Sequence, residues 1–181
     1  MVFAMLVATR LAITLATPAA VSPDLAALVA AEAEALWREA GVEIQWSIGD
    51  RAGWKPDAPM LYVLFSDRCA GSSDNAMPLA SITFVDGEPL RRIIVCRDQV
   101  DLAESAVPGF VNLPRRGRTA VTGRVIGRAV AHEIGHYLLG PEHSPGGLMR
   151  ARHSFAEFCA ADASAFAIGD LRRLARPLPP R

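Results

Sequence analysis

The spacing of hydrophobic and polar positions changes several times along the chain, and each change marks an element. Arg10–Ala16 (RLAITLA) reads as a first strand. Ser22-Pro23-Asp24 then has the form of a helix start: a serine N-cap, proline at the first helical position and an acid in the first turn. Leu25, Leu28, Val29, Leu36 and Trp37 recur at helical spacing until Gly41 ends the run. Val42–Trp46 alternates and predicts a strand with one buried face. Ile48–Pro59 reads as a loop. Met60–Phe65 (MLYVLF) is nearly all apolar, which suits a central strand covered on both faces. After a second loop, Ser66–Pro78, come a strand at Leu79–Val85, a turn at Asp86-Gly87 and a strand at Arg91–Cys96. Arg97–Arg118, with Pro108, Gly109, Pro114 and Gly117, reads as a looser segment. Thr119–Leu139 predicts a long helix whose apolar side holds Val121, Val125, Ile126, Ala129 and Val130. Ser154–Ala167 follows, then a helix over Ile168–Arg176 with a basic C-terminal end. Pro177–Arg181 reads as a tail.

A chain of 181 residues suits one domain with a real core. Basic and acidic residues balance at 19 each, so charge offers no reason to expect nucleic acid or an anionic membrane as a partner. Met1–Ala8 is apolar, and residues 1–20 have the look of a signal peptide that would direct export to the periplasm or beyond. No basic residue precedes the apolar run, however, and Arg10 interrupts it. The favoured reading is a leader or remnant at residues 1–9, with a domain over 10–176 and a tail at 177–181. The apolar run is too short and broken for a membrane span. The cysteines at 69, 96 and 159 show no C-x-x-C spacing. Buried free thiols are one reading; if the protein is exported, Cys69 with Cys96 is the pairing to test, because both flank strands of one sheet.

The candidate chemistry is concentrated between Gly127 and Arg150. Three of the four histidines, His132, His136 and His143, fall in that stretch, with His153 just beyond. His132 and His136 are one helical turn apart on the same face, so both imidazoles can reach one metal ion. Glu133 points round the helix toward the same cleft, where it can take a proton from water; that is the mechanics of H-E-x-x-H. Gly140-Pro141 stops the helix, because proline cannot continue it. His143, three residues on, can return as a third nitrogen ligand and leave a fourth position open. Glu142, His153 and Glu157 are rivals for that third place.

These residues, HEIGHYLLGPEH followed by Ser144-Pro145-Gly146-Gly147-Leu148-Met149, resemble the metzincin zinc peptidases and, through His143-Ser144 and Leu148-Met149, the matrixin branch. One departure is plain: glycine and the third histidine each stand one residue later than in the standard motif, where Glu142 takes the third-ligand register. The resemblance implies a single α/β domain. Its mixed, mostly parallel five-stranded sheet is packed by two long helices, with a C-terminal helix added. It implies one Zn2+ per chain on His132, His136 and His143, with Glu133 as catalytic general base and Met149 as the Met-turn residue beneath the metal. It also makes the fourth strand an antiparallel edge that pairs with extended substrate, which places Leu79, Ala80, Ser81, Ile82 and Thr83 at the substrate.

The function so implied is a zinc metalloendopeptidase acting as a monomer on peptide or protein substrates. The alternative is a zinc-binding protein of the same build without peptidase activity. The intact Glu133 speaks against it, since a purely structural site has no use for that side chain.

Overall fold

The computed structural model describes residues 9–18, 20–49, 60–67, 69, 78–160 and 166–175. The expected leader lies outside these apart from Thr9, the tail at 177–181 lies wholly outside, and so does most of the two loops read at 48–59 and 66–78.

Five strands form one sheet in the order β2-β1-β3-β5-β4. Strand β1 (Thr9–Ala16) lies between β2 (Val42–Gly49) and β3 (Leu61–Ser66), parallel to both. Strand β5 (Glu88–Cys96) runs parallel to β3, and β4 (Ala80–Val85) closes the sheet as an antiparallel edge. The expected mixed, mostly parallel α/β domain is therefore what the chain forms. β3 is central, and Leu61–Phe65 are all buried, as their unbroken apolar run requires. The β4–β5 hairpin turns on Asp86 (φ 52°) and Gly87 (φ 84°); two successive positive φ values twist the chain in the sense the strands need.

Helix α1 (Pro23–Glu39) starts as its sequence dictates, with the Ser22 hydroxyl accepting from the Leu25 N–H at 3.2 Å. The longest helix, here α3 (Arg115–Leu139), packs against α1 and against β4 and β5. Its approach to α1 depends on missing side chains. A Cβ at Gly123 would lie 2.6 Å from the Leu28 Cβ, and one at Gly127 would lie 2.7 Å from the Glu32 Cβ. Each helix glycine costs about 1 kcal/mol against alanine, a cost offset by the close packing it allows. Trp37 of α1 is fully buried and donates from Nε1 to the Ala131 carbonyl at 3.1 Å. Arg128, also buried, pairs with Glu32 at 2.7 Å and donates to the Phe158 carbonyl at 3.1 Å, tying α1, α3 and α4 (Phe155–Cys159) together.

Several boundaries differ from the sequence expectation. The looser segment contains a helix, α2 (Arg97–Ser105), and a short 3-10 turn at Phe110–Asn112. Val100 is the one buried residue of α2, so the helix has almost no apolar stripe to reveal it. α3 begins at Arg115, a turn before Thr119, with Pro114 ahead of its first turn; the Thr119 hydroxyl donates to the Arg115 carbonyl inside the helix. From Val125 to Leu138 almost every residue of α3 is buried, so this half is enclosed all round, beyond the single apolar side expected. β2 and β5 each gain three residues through backbone pairing, with β1 and across the hairpin respectively. The last helix, α5 (Ile168–Leu174), is shorter than expected.

Cys69 and Cys96 form a disulfide across a separation of 27 residues, and Cys159 is free and half-buried. The free-thiol reading therefore fails for the first two. The bridge joins the segment before β4 to the end of β5, where the Cys96 N–H also donates to the Leu79 carbonyl at 2.9 Å. No helix among the described residues is long and apolar enough to cross a membrane.

Candidate metal centre

The enclosed half of α3 holds His132, Glu133 and His136. Gly140 (φ 96°) turns the chain out of the helix and carries Pro141, Glu142 and His143 round to face them. The His136 Nε2 lies 3.1 Å from the His132 Nε2 and 3.2 Å from the His143 Nε2. All three ligand nitrogens fall within 4.8 Å of one another.

Hydrogen bonds set the tautomers of two of the three rings. The His132 Nδ1–H donates to the Leu148 carbonyl at 2.7 Å, and the His136 Nδ1–H donates to the Gly140 carbonyl at 2.9 Å. Each Nε2 is left as a lone pair pointing inward. Burial lowers the His132 pKa to about 4 and lowers that of His136 as well, so both rings are neutral near pH 7. Converging lone pairs at these distances repel unless a cation lies between them. Zinc–nitrogen bonds of about 2.0–2.1 Å at tetrahedral angles would put nitrogens about 3.3 Å apart, so this donor set fits zinc.

The rivals for the third place stand elsewhere. Glu142 is exposed and belongs to no metal-competent group among the described residues. Glu157 is committed to Arg150 and to the Ser154 backbone in a capping box at the start of α4. Those bonds, that to Arg150 foremost, hold its carboxyl down to about 2. His153 is half-buried, stacked on Phe158 with centroids 4.7 Å apart. Its Nε2–H donates at 3.0 Å to the same Leu148 carbonyl that accepts from His132. His153 therefore supports the carbonyl that orients His132. Nothing in its spacing from the motif reveals this, because the contact depends on the course of the loop.

Met149 is fully buried against α3, and its place requires Gly135: a Cβ there would lie 2.1 Å from the Met149 Sδ. The glycine inside H-E-x-x-H thus admits the loop that follows the third histidine. That loop closes on itself through the Ser144 N–H, which donates to the Met149 carbonyl at 2.8 Å.

Glu133 is buried, and its Oε2 accepts from the Ile82 N–H of the edge strand at 2.9 Å. Burial pushes its carboxyl up to about 8, against the pull of that N–H. The strand register explains why this N–H is available. Leu79 bonds to Cys96, so in the alternation of an antiparallel ladder Ala80 and Ile82 turn their backbone groups away from β5. Phe84, past a bulge in the same strand, sets its ring edge-on to His136 at 6.5 Å.

No family model matches the chain, and no curated protein matches it by sequence. Among solved structures, the chain is similar to the crystal structure of archaemetzincin from Methanopyrus kandleri, with a TM-score of 0.57 and 14% identity. The match covers 92% of this chain and 93% of that one. The likeness is one of fold, and it lends nothing to the matrixin branch in particular.

Proposed function

We propose that the protein is a zinc-dependent metallopeptidase in which His132, His136 and His143 hold one metal ion and Glu133 serves as general base. The observation that carries this reading is the position of Glu133. It stands between the two helical histidines in sequence, and its carboxylate is anchored on the backbone of an edge strand. A structural metal site would need neither feature.

Zinc held by the three nitrogens would supply Lewis acidity, acidifying a water and polarising a scissile carbonyl. The chain's own residues supply the rest. The Glu133 carboxylate accepts a proton from the attacking water, whose oxygen adds to the carbonyl carbon. The same carboxyl returns that proton to the departing amine nitrogen as the C–N bond breaks. The backbone of Ala80 and the carbonyl of Ile82 turn outward and give an extended peptide a ladder to join, beside the Ile82 N–H that holds Glu133, so Leu79–Thr83 line the substrate by strand addition. Met149, buried against Gly135 inside the motif, is the Met-turn residue that supports the metal-binding loop. The likeness to an archaemetzincin supports the same reading at the level of architecture.

Glu133→Gln tests it. The variant should bind zinc as the wild type does and lose about 10²–10⁴-fold in turnover of an unstructured protein substrate, the span usual for general acid–base catalysis. Full activity in that variant would remove Glu133 from the mechanism. Stoichiometric zinc in the wild type with no hydrolysis of any peptide would leave a metal-binding protein only.

A further inference from the structure

His143 is the ligand least held by its own ring. It is exposed, and no carbonyl among the described residues accepts from its Nδ1, whereas His132 and His136 each have one. Its placement must come from the backbone on either side, and both sides lead to α5.

At the near end, Arg173 of α5 donates to the Leu139 carbonyl, the last residue of α3. At the far end, the Ser144 hydroxyl donates to the Asp170 Oδ1 at 2.5 Å. Asp170 and Arg173 are three residues apart and share one face of α5. They bracket Gly140–His143, the stretch that carries the third ligand; the extra residue of the motif falls before it, in the last turn of α3. Asp170 is wholly buried, and its Oδ2 has no hydrogen-bond partner among the described residues. An orphaned buried carboxylate oxygen is costly, and the visible return for that cost is the bond to Ser144.

We infer that α5 is a clamp for the third metal ligand, with Asp170, acting through Ser144, and Arg173, acting through Leu139, as positioning residues. The inference rests on the metal-site reading above. The residues from Gly140 to His143 lie outside regular structure, and fixing their end costs conformational entropy. Holding both ends from one helix face gives His143 a single position.

Metal affinity, measured by competition with a chromophoric chelator, tests the clamp without any assay of turnover. Asp170→Ala would open a cavity at a wholly buried position, so Ser144, half-buried in the loop, carries the experiment. Ser144→Ala should weaken zinc binding about 10- to 100-fold, the usual effect of removing an orienting partner of a metal ligand. Ser144→Thr keeps the hydroxyl and should restore affinity to within about threefold of wild type. In a His143→Ala background the Ser144→Ala change should have no further effect, because the clamp acts through that ligand alone. Wild-type affinity in Ser144→Ala, or an equal loss with and without His143, would overturn the inference. A wild-type protein that binds no zinc, or binds it equally well after His132→Ala, would instead overturn the metal-site reading.

Discussion

The two sides of the candidate metal site are built on different principles. On the helix side, His132 and His136 project from the enclosed half of α3, and each ring is fixed by a backbone carbonyl on its far nitrogen. On the loop side, His143 projects from three exposed residues and is placed by what grips the chain before and after it. Regular secondary structure positions the first pair at no further cost, since residues four apart on a helix share a face. The loop has no such rule to follow. It depends on Gly135 to admit Met149, on the Leu148 carbonyl shared with His153, and on α5.

The largest effect that separates the sides is loss of a ligand. His132→Ala should weaken zinc binding by more than the ~100-fold that bounds changes in supporting residues, because it removes a ligand ring held in place by the Leu148 carbonyl. His143→Ala should cost less, leaving a weak two-histidine site on the helix. Zinc titration of both variants checks the order, and equal losses would erase the distinction between the sides.

Gly135→Ala comes next, because it strikes the contact that joins them. Its Cβ would overlap the Met149 sulfur at 2.1 Å, so the loop must lift away from the helix. The expected loss of stability is about 1–3 kcal/mol, typical of overpacking, together with weaker metal binding. Met149→Leu, close in volume, should cost under about 1.5 kcal/mol. Chemical denaturation with chelator present measures the first quantity and the zinc titration the second.

The smallest effect lies where the loop leaves the site. Glu157 caps α4 and pairs with Arg150, next to Met149. Its folded pKa, about 2, is below the ordinary 4.5. Its contribution to stability is therefore fully present above the ordinary value and is lost as the pH falls toward 2. Melting temperatures of the wild type and Glu157→Gln, measured with chelator from pH 7 downward, should differ by a small constant amount and then converge below about pH 4.5. Curves that diverge on acidification would contradict the capping role.

Much of this was legible in the residues. Strong periodicity and definite end signals located β1, α1, β3 and the β4–β5 turn, because Ser22, Gly41 and Asp86-Gly87 each serve one local conformation. The helical ligand pair was legible for the same reason. Helix α2 was not, since Val100 alone of its residues is buried and a short charged segment leaves no stripe to read. Nor were the added residues of β2 and β5, whose extent is set by pairing with a neighbouring strand and carries no mark in their own side chains.

The sequence by itself determined that His132 and His136 share one helix face with Glu133 beside them, and that the helix stops at Gly140. Both follow from interactions within a few residues, which local spacing encodes; the mixed direction of the sheet was implied only by the family resemblance. Only the tertiary structure decided which side chain joins the pair. His143 rather than Glu142, His153 or Glu157 stands with them because the loop is gripped at both ends by a helix thirty residues away, while His153 and Glu157 are engaged by Leu148, Arg150 and Ser154. Contacts between segments so far apart in the chain depend on how whole elements pack, and no spacing within the motif records them.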